Sequence, residues 1–479
     1  MLLGQLICRI VILFLSAAIL AILLFFGSSE GFLGIHLALI IFFAIVLFPI
    51  LWELYTHKFD PLNPKNLFIL YYSLQLGIYP IYILAGGETF MPWLEPDEPY
   101  NQPFYLAAIT LSAIGLLFFY LGYSLRIGRV IGNSLPTFSK WSNDRIKWVV
   151  MLGMFWGFGA AYRLIQSQGG LQTFLVSLGY WRSQGLIGNG YLIYPATGML
   201  PTASLIFFIY FVKKYNNYLR LWVALLVFAF SLFPGILLGF RIVLVPPILQ
   251  LIILWNYMYK QISWKKLLSF AGLLFFALTF YGLARHNIEL GRQGLDIFSF
   301  QDFGVDTILK PLVVRTPGTE MVIQVMQQTN ITHEYKYFFD SIFEALTILI
   351  PRAFWPDKQV SMIIFGREIM SDYLLWRDGT ITESTGGLTP TVIGYFYWQM
   401  GVIGVLLGMF VIGLVAKIAY QYMCVNSKSP SRLLTYSVIM SAFPIFAESP
   451  QDAMNSSVIR FVGTSLFLFL LTFRLKLRA

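Results

Sequence analysis

Apolar residues in this chain come in long unbroken runs, not in the spacing of an amphipathic surface helix or a half-buried strand. Twelve runs stand out, at roughly 10–27, 32–52, 66–86, 104–125, 147–165, 191–212, 221–239, 242–259, 267–284, 398–417, 432–448 and 457–474. Each approaches the ~20 residues a helix needs to cross a hydrocarbon core about 30 Å thick. The pattern predicts an all-α polytopic membrane protein with about 12 transmembrane helices. The first run follows Arg9 and has no small-residue cleavage site after it, so it reads as an uncleaved first span.

Composition agrees with this reading. The chain is 57% hydrophobic and only 12% charged, where a soluble domain carries about a quarter charged residues. Two cysteines, Cys8 and Cys424, make no disulfide framework. The connections alternate in charge. With the N-terminus in the cytoplasm, the inner segments hold 20 of the 33 Lys and Arg and only Glu53, Asp60 and Asp144 among the acids. The outer segments hold 13 basic residues against 20 acids. The short-loop bias of Lys and Arg therefore predicts both termini inside. It also accounts for the net charge of +10 without a nucleic-acid partner.

One connection is unlike the others. The pattern divides the chain into residues 1–284 with nine spans, an outer loop at 285–390, and residues 391–479 with the last three. The loop holds 13 of the 23 acids. It also contains helical patterns, "GVDTILKPLVVR" and "TEMVIQVMQQ". Its segment "YFFDSIFEALTILIPR" is apolar enough to lie in the membrane interface or tuck against the bundle. A loop this long in a compact protein is functional or disordered, and its aromatic and aliphatic content argues against disorder. In "GVIGVLLGMFVIG", Gly404 and Gly408 have the spacing of close helix packing.

Familiar catalytic signatures are missing. There is no Walker A sequence, no G-x-G-x-x-G after a strand and no H-E-x-x-H. No G-x-S-x-G elbow occurs either, and the four histidines lack metal-ligand spacing. The middles of the runs carry almost no ionisable residues, which weighs against an ion-coupled carrier. The positive signal is arginine. Inner segments use 12 Lys and 8 Arg, whereas outer segments use 3 Lys and 10 Arg. A planar guanidinium suits bidentate binding of phosphate or carboxylate. Arg241 follows "LLGF" in a very short connection, and Arg285 ends the ninth run. Arg285, Glu289 and Arg292 share a helical face by spacing. Such a cluster suits a lipid-linked diphosphate. Arg163 and Arg460, at run ends, read as headgroup anchors. Arg367 and Arg377 read as surface partners of nearby acids. His286 is an interfacial neighbour or a base. Glu383 in "TITESTGGLTPT" is a candidate base beside a Gly-Gly pair that lets backbone approach a ligand; a solvated loop carboxylate is the plainer reading.

The order of these features resembles a family. A Gly-x-Arg between two spans ("GFRIVLVPPIL") precedes a large outer loop holding "VVRTPGTEM" and "IPRAFWPDK". The chain then re-enters through "GYFYWQMGVIGVLLGMF". This is similar to the Wzy-type oligosaccharide repeat-unit polymerases of bacterial O-antigen and related polysaccharides, over most of residues 160–420. The resemblance implies a membrane-embedded glycosyltransferase at the outer face of the inner membrane. It would need no cofactor or metal. It would transfer a growing glycan from undecaprenyl diphosphate onto a new lipid-linked repeat unit. Arg182, Arg241, Arg315 and Arg352 are the matching positions, and Arg285 joins them on the argument above. Family members often carry a glutamate just after the glycine of Gly394-Tyr395. Tyr395 takes that place here, so Glu383 or His286 is left as the expected base. A chain-length regulator and a flippase are the protein partners this implies. Three alternatives stay open: an O-antigen ligase, a flippase or exporter of the same lipid-linked glycan, and a non-catalytic chain-length partner.

Overall fold

The structure is a computed structural model. It describes residues 31–84, 91–95, 98–136, 141–167, 190–214, 218–237, 241–289, 318–332, 338–347, 389–425 and 429–472, with single positions at 89, 169, 170, 173, 350, 354 and 355. Every regular element among them is helical, and none is a strand. In chain order they are α1 (Gly31–Tyr55), α2 (Pro64–Leu84), α3 (Gln102–Ser124), α4 (Arg126–Ser134) and α5 (Asn143–Gln166). Next comes α6, which runs from Gly190–Tyr194 through a π turn into Leu200–Lys214. Later come α7 (Tyr218–Ser231), α8 (Arg241–Leu254), α9 (Trp264–Glu289), α10 (Gly318–Thr332), α11 (Phe338–Thr347), α12 (Thr391–Cys424), α13 (Pro430–Met440), α14 (Phe443–Glu448) and α15 (Pro450–Thr472), with short helical turns at Pro92–Leu94, Phe233–Leu237 and Trp255–Tyr259.

Seven helices among the described residues are long and apolar enough to cross a membrane, and two shorter apolar ones lie at Leu221–Ile236 and Leu244–Tyr259. The run at 10–27 lies outside the described residues. The run at 432–448 is not one helix: it breaks at Ser441-Ala442, and Ser449 is extended before α15 begins.

One end of the bundle is tied by polar groups from several connections. Asp60 accepts from the Tyr257 and Tyr420 hydroxyls at 2.6 and 3.1 Å and from the Leu62 amide at 3.1 Å. Tyr123 donates to Asn63 at 2.9 Å and Tyr436 to the Leu62 carbonyl at 3.1 Å. Lys65 pairs with Glu53 at 2.5 Å. Residues in or beside four connections that charge counting groups on one side thus meet at one end.

Two features set the centre. First, α3 and α12 approach to backbone contact. A Cβ at Gly122 would overlap the Phe410 carbonyl, and one at Gly413 would overlap the Phe119 carbonyl. Second, α12 is two helices. Met400 (φ −151°, ψ 27°) and Gly401 (φ 61°, ψ −146°) break it. The twelve residues from Phe396 to Gly408 would span about 18 Å of straight helix. Yet a Cβ at Gly408 would fall on the Phe396 ring, and one at Gly404 on its carbonyl. The segment 391–399 therefore folds back against 402–424, which alone is about 35 Å long, enough to span a bilayer. Gly404 and Gly408 do serve close packing, but their partner is the returning half of their own element.

These contacts yield a direct test. Gly413→Ala should lower stability by about 1–3 kcal/mol by prying α3 from α12. Gly159→Ala, where an added Cβ meets nothing within 4 Å, should be neutral or slightly stabilising. Thermal unfolding of the detergent-purified protein measures both.

Candidate functional site

Two helices from the long connection between α9 and the end of the chain begin inside the bundle. The first is α10. Gly318 packs on the Gln75 carbonyl, and the Thr319 hydroxyl donates to the Leu76 carbonyl at 3.4 Å. Gln75 is the twelfth of 21 residues in α2, so α10 starts at mid-helix depth. Its side chains Thr319, Glu320, Met321, Val322, Ile323 and Val325 are buried. Small and apolar residues dominate the start of "GTEMVIQVMQQ", and its one acid there, Glu320, enters with hydrogen-bond partners. The second is the 391–399 half of α12. Ile393 packs at Gly115, the fourteenth of 23 residues in α3. Thr391, at its start, is a buried β-branched residue held at φ 57°, a strained position costing about 1–3 kcal/mol.

Polar groups gather around these helix starts. Glu320 is fully buried and accepts from the Tyr79 hydroxyl at 2.6 Å and the Met91 amide at 2.9 Å. Trp93 donates to Gln324 at 3.3 Å. Glu448 accepts from the Tyr71 hydroxyl at 2.7 Å. Gln75 is a second partner of Tyr71, and its buried Oε1 has no hydrogen-bond partner. A further chain runs from Tyr395, which donates to Gln451 at 2.9 Å, through Asn455 to Glu344, at 3.0 and 3.2 Å. Glu448 and Gln451 flank the break between α14 and α15, so the two groups of contacts adjoin along the chain. Helix starts bring unpaired N–H donors and positive dipole ends to this interior. Carboxylates and amides supply acceptors for hydroxyls. No three His, Cys, Asp or Glu side chains among the described residues gather as a metal site requires.

The expected site residues fall unevenly on this structure. Arg241 is the first residue of α8, and Arg285 and His286 lie in the last two turns of α9; the description of these three is of the backbone alone. Arg182, Arg315, Arg352 and Glu383 lie outside the described residues. Gly318 follows Arg315 by three positions. Tyr395, where the resemblance expects a glutamate, is fully buried in the returning helix. Arg460 differs from its expected place. It is the eleventh of 23 residues in α15, because that helix starts at Pro450, well before the apolar run does. The apolar pattern undercounted the helix since its first turns carry Gln451, Asp452 and Asn455. Glu320, Glu448 and Gln451 also escaped the sequence reading, and polar residues beside the proline in "AESPQD" were the available signal.

A family model described as a domain of unknown function (DUF8712) matches residues 197–426. That stretch runs from α6 to the end of α12. It contains Arg241, Arg285, His286, Arg315, Arg352 and Glu383 and leaves out Arg182. No curated protein and no solved structure matches the chain.

Glu320→Ala strands the Tyr79 hydroxyl and Met91 amide and should cost about 2–4 kcal/mol. Its readout is faster proteolytic cleavage next to α10 in the purified protein. Tyr79→Phe, which removes one donor to Glu320 and leaves the Met91 bond in place, should cost less.

Proposed function

We propose that this chain polymerises undecaprenyl-diphosphate-linked oligosaccharide repeat units at the outer face of a bacterial inner membrane, as a protein with about 12 spans. The observation that carries the reading is the re-entry of the long connection into the bundle, where two helix starts meet buried polar groups. A lipid-linked substrate needs such a place, reached from the bilayer yet furnished with donors. The resemblance in "GFRIVLVPPIL", "VVRTPGTEM" and "IPRAFWPDK" supplies the chemistry, and the Lys and Arg bias supplies the orientation.

In this reaction a hydroxyl oxygen of the acceptor sugar bonds to the anomeric carbon of the donor glycan. The bond from that carbon to the diphosphate oxygen breaks, and the hydroxyl proton passes to a base, Glu383 or His286. Undecaprenyl diphosphate leaves with the electron pair. The donor is already activated, so orientation and charge stabilisation are the protein's main tasks. Arg241, Arg285 and Arg315 hold the diphosphate, and Arg182 and Arg352 hold it or position sugars.

A flippase of the same lipid is the second reading. Arg460, Glu320 and Glu448 lie within the bundle, and ionisable groups there favour this reading.

Deleting the gene should leave single repeat units on the bacterial surface, while loss of a flippase would leave none there. Arg241→Ala and Arg285→Ala should each reduce polymer formation on the order of a hundredfold, and Arg241→Lys nearly as much, seen as shortened ladders on a gel. Wild-type ladders from both alanine variants would refute the assignment.

A further inference from the structure

The face of α15 that turns inward carries an unusual set of groups. Ser457, Arg460 and Thr464 follow one another at helical spacing. Ser457 Oγ, Arg460 Nη1 and Thr464 Oγ1 are each buried without a hydrogen-bond partner. Thr464 is only 2% exposed. Tyr194, in α6, places its hydroxyl against Gly463 and adds a further donor beside Arg460. The opposite face, with Phe461, Val462, Leu466 and Phe469, is exposed and apolar, as a lipid-facing surface requires. The one ion pair among the described residues is Lys65 with Glu53, at the far end of the bundle, and no carboxylate among the described residues pairs with Arg460. A guanidinium deep in a spanning helix is costly unless an anion meets it.

We infer that Arg460, with Ser457, Thr464 and Tyr194, is a binding site for a phosphate group within the membrane-embedded bundle. A planar fork of N–H donors flanked by three hydroxyls matches a tetrahedral oxyanion better than a single-atom anion. The lipid-facing surface of the same helix points to a phosphate carried by a lipid rather than one dissolved in water. The site deepens the proposed function, which supplies the polyprenyl carrier as the source of that phosphate; the site itself stands on α15.

The test is binding to full-length protein in detergent, followed by native mass spectrometry, with undecaprenyl phosphate and inorganic pyrophosphate as separate probes. Undecaprenyl phosphate should bind, and Arg460→Gln should weaken it at least tenfold, with Arg460→Lys in between. Unchanged affinity in Arg460→Gln overturns the site. If Arg460→Gln does not fold, Thr464→Val decides: a several-fold loss supports the site and no loss overturns it. Pyrophosphate binding as tightly as the lipid supports the anion site and overturns the lipid source. Loss of lipid binding in Arg460→Gln from a chain whose deletion leaves polymer length unchanged keeps the site and removes the polymerase reading.

Discussion

The reversal at Met400-Gly401 is the constraint on which the rest of the interior depends. Gly401 has a backbone conformation that residues with a Cβ adopt only under strain. Because it turns the chain there, 391–399 packs on 402–424, and Phe396 fills the space that Gly404 and Gly408 leave open. That hairpin brings Tyr395 to Gln451 and sets Gly394 beside Val322 and Val325 of α10. A straight 34-residue helix would place these groups outside any bilayer and leave α10 without one wall of its slot.

A bundle built this way must satisfy its polar groups internally, since lipid offers no hydrogen bonds. At one end Asp60 does this for the Tyr257 and Tyr420 hydroxyls, while Asn63 and the Leu62 carbonyl do it for Tyr123 and Tyr436. Around α10 and the α14–α15 break, Glu320, Glu448 and Gln451 do it. Among the buried groups that remain without a partner are Gln75 Oε1 and, close together on one helix face, those of Ser457, Arg460 and Thr464. They sit where the bundle has provided donors and acceptors beyond what folding consumes.

Much of this architecture is legible in the chain. The apolar runs from 32–52 onward lie on helices, although the run at 432–448 is divided between two and seven helices among the described residues are long and apolar enough to cross a membrane. The Lys and Arg bias grouped connections that do meet at the Asp60 end. The breaks were harder to see. Nothing in "WQMGVIG" announces a reversal, as glycine is common in spanning helices. The run containing "AFPIFAESP" reads as one apolar stretch although it holds two helices. Arg460 looked like a terminal anchor because polar residues at the start of α15 hid the helix's true length. Of the candidate site, arginine usage pointed to phosphate chemistry, whereas the buried carboxylates and amides belong to helices whose neighbours are distant in sequence, such as Tyr71 with Glu448.

The proposed lengthening of lipid-linked repeat units can be followed with purified components. The most direct measurement supplies the purified protein, reconstituted in proteoliposomes, with undecaprenyl-diphosphate-linked repeat unit as the sole sugar source. Mass spectrometry then reads the glycans. Glycan chains should grow by whole repeat units, with undecaprenyl diphosphate released for each linkage. Repeat units that reach the opposite leaflet with no gain in length would contradict the proposed lengthening and identify a transporter.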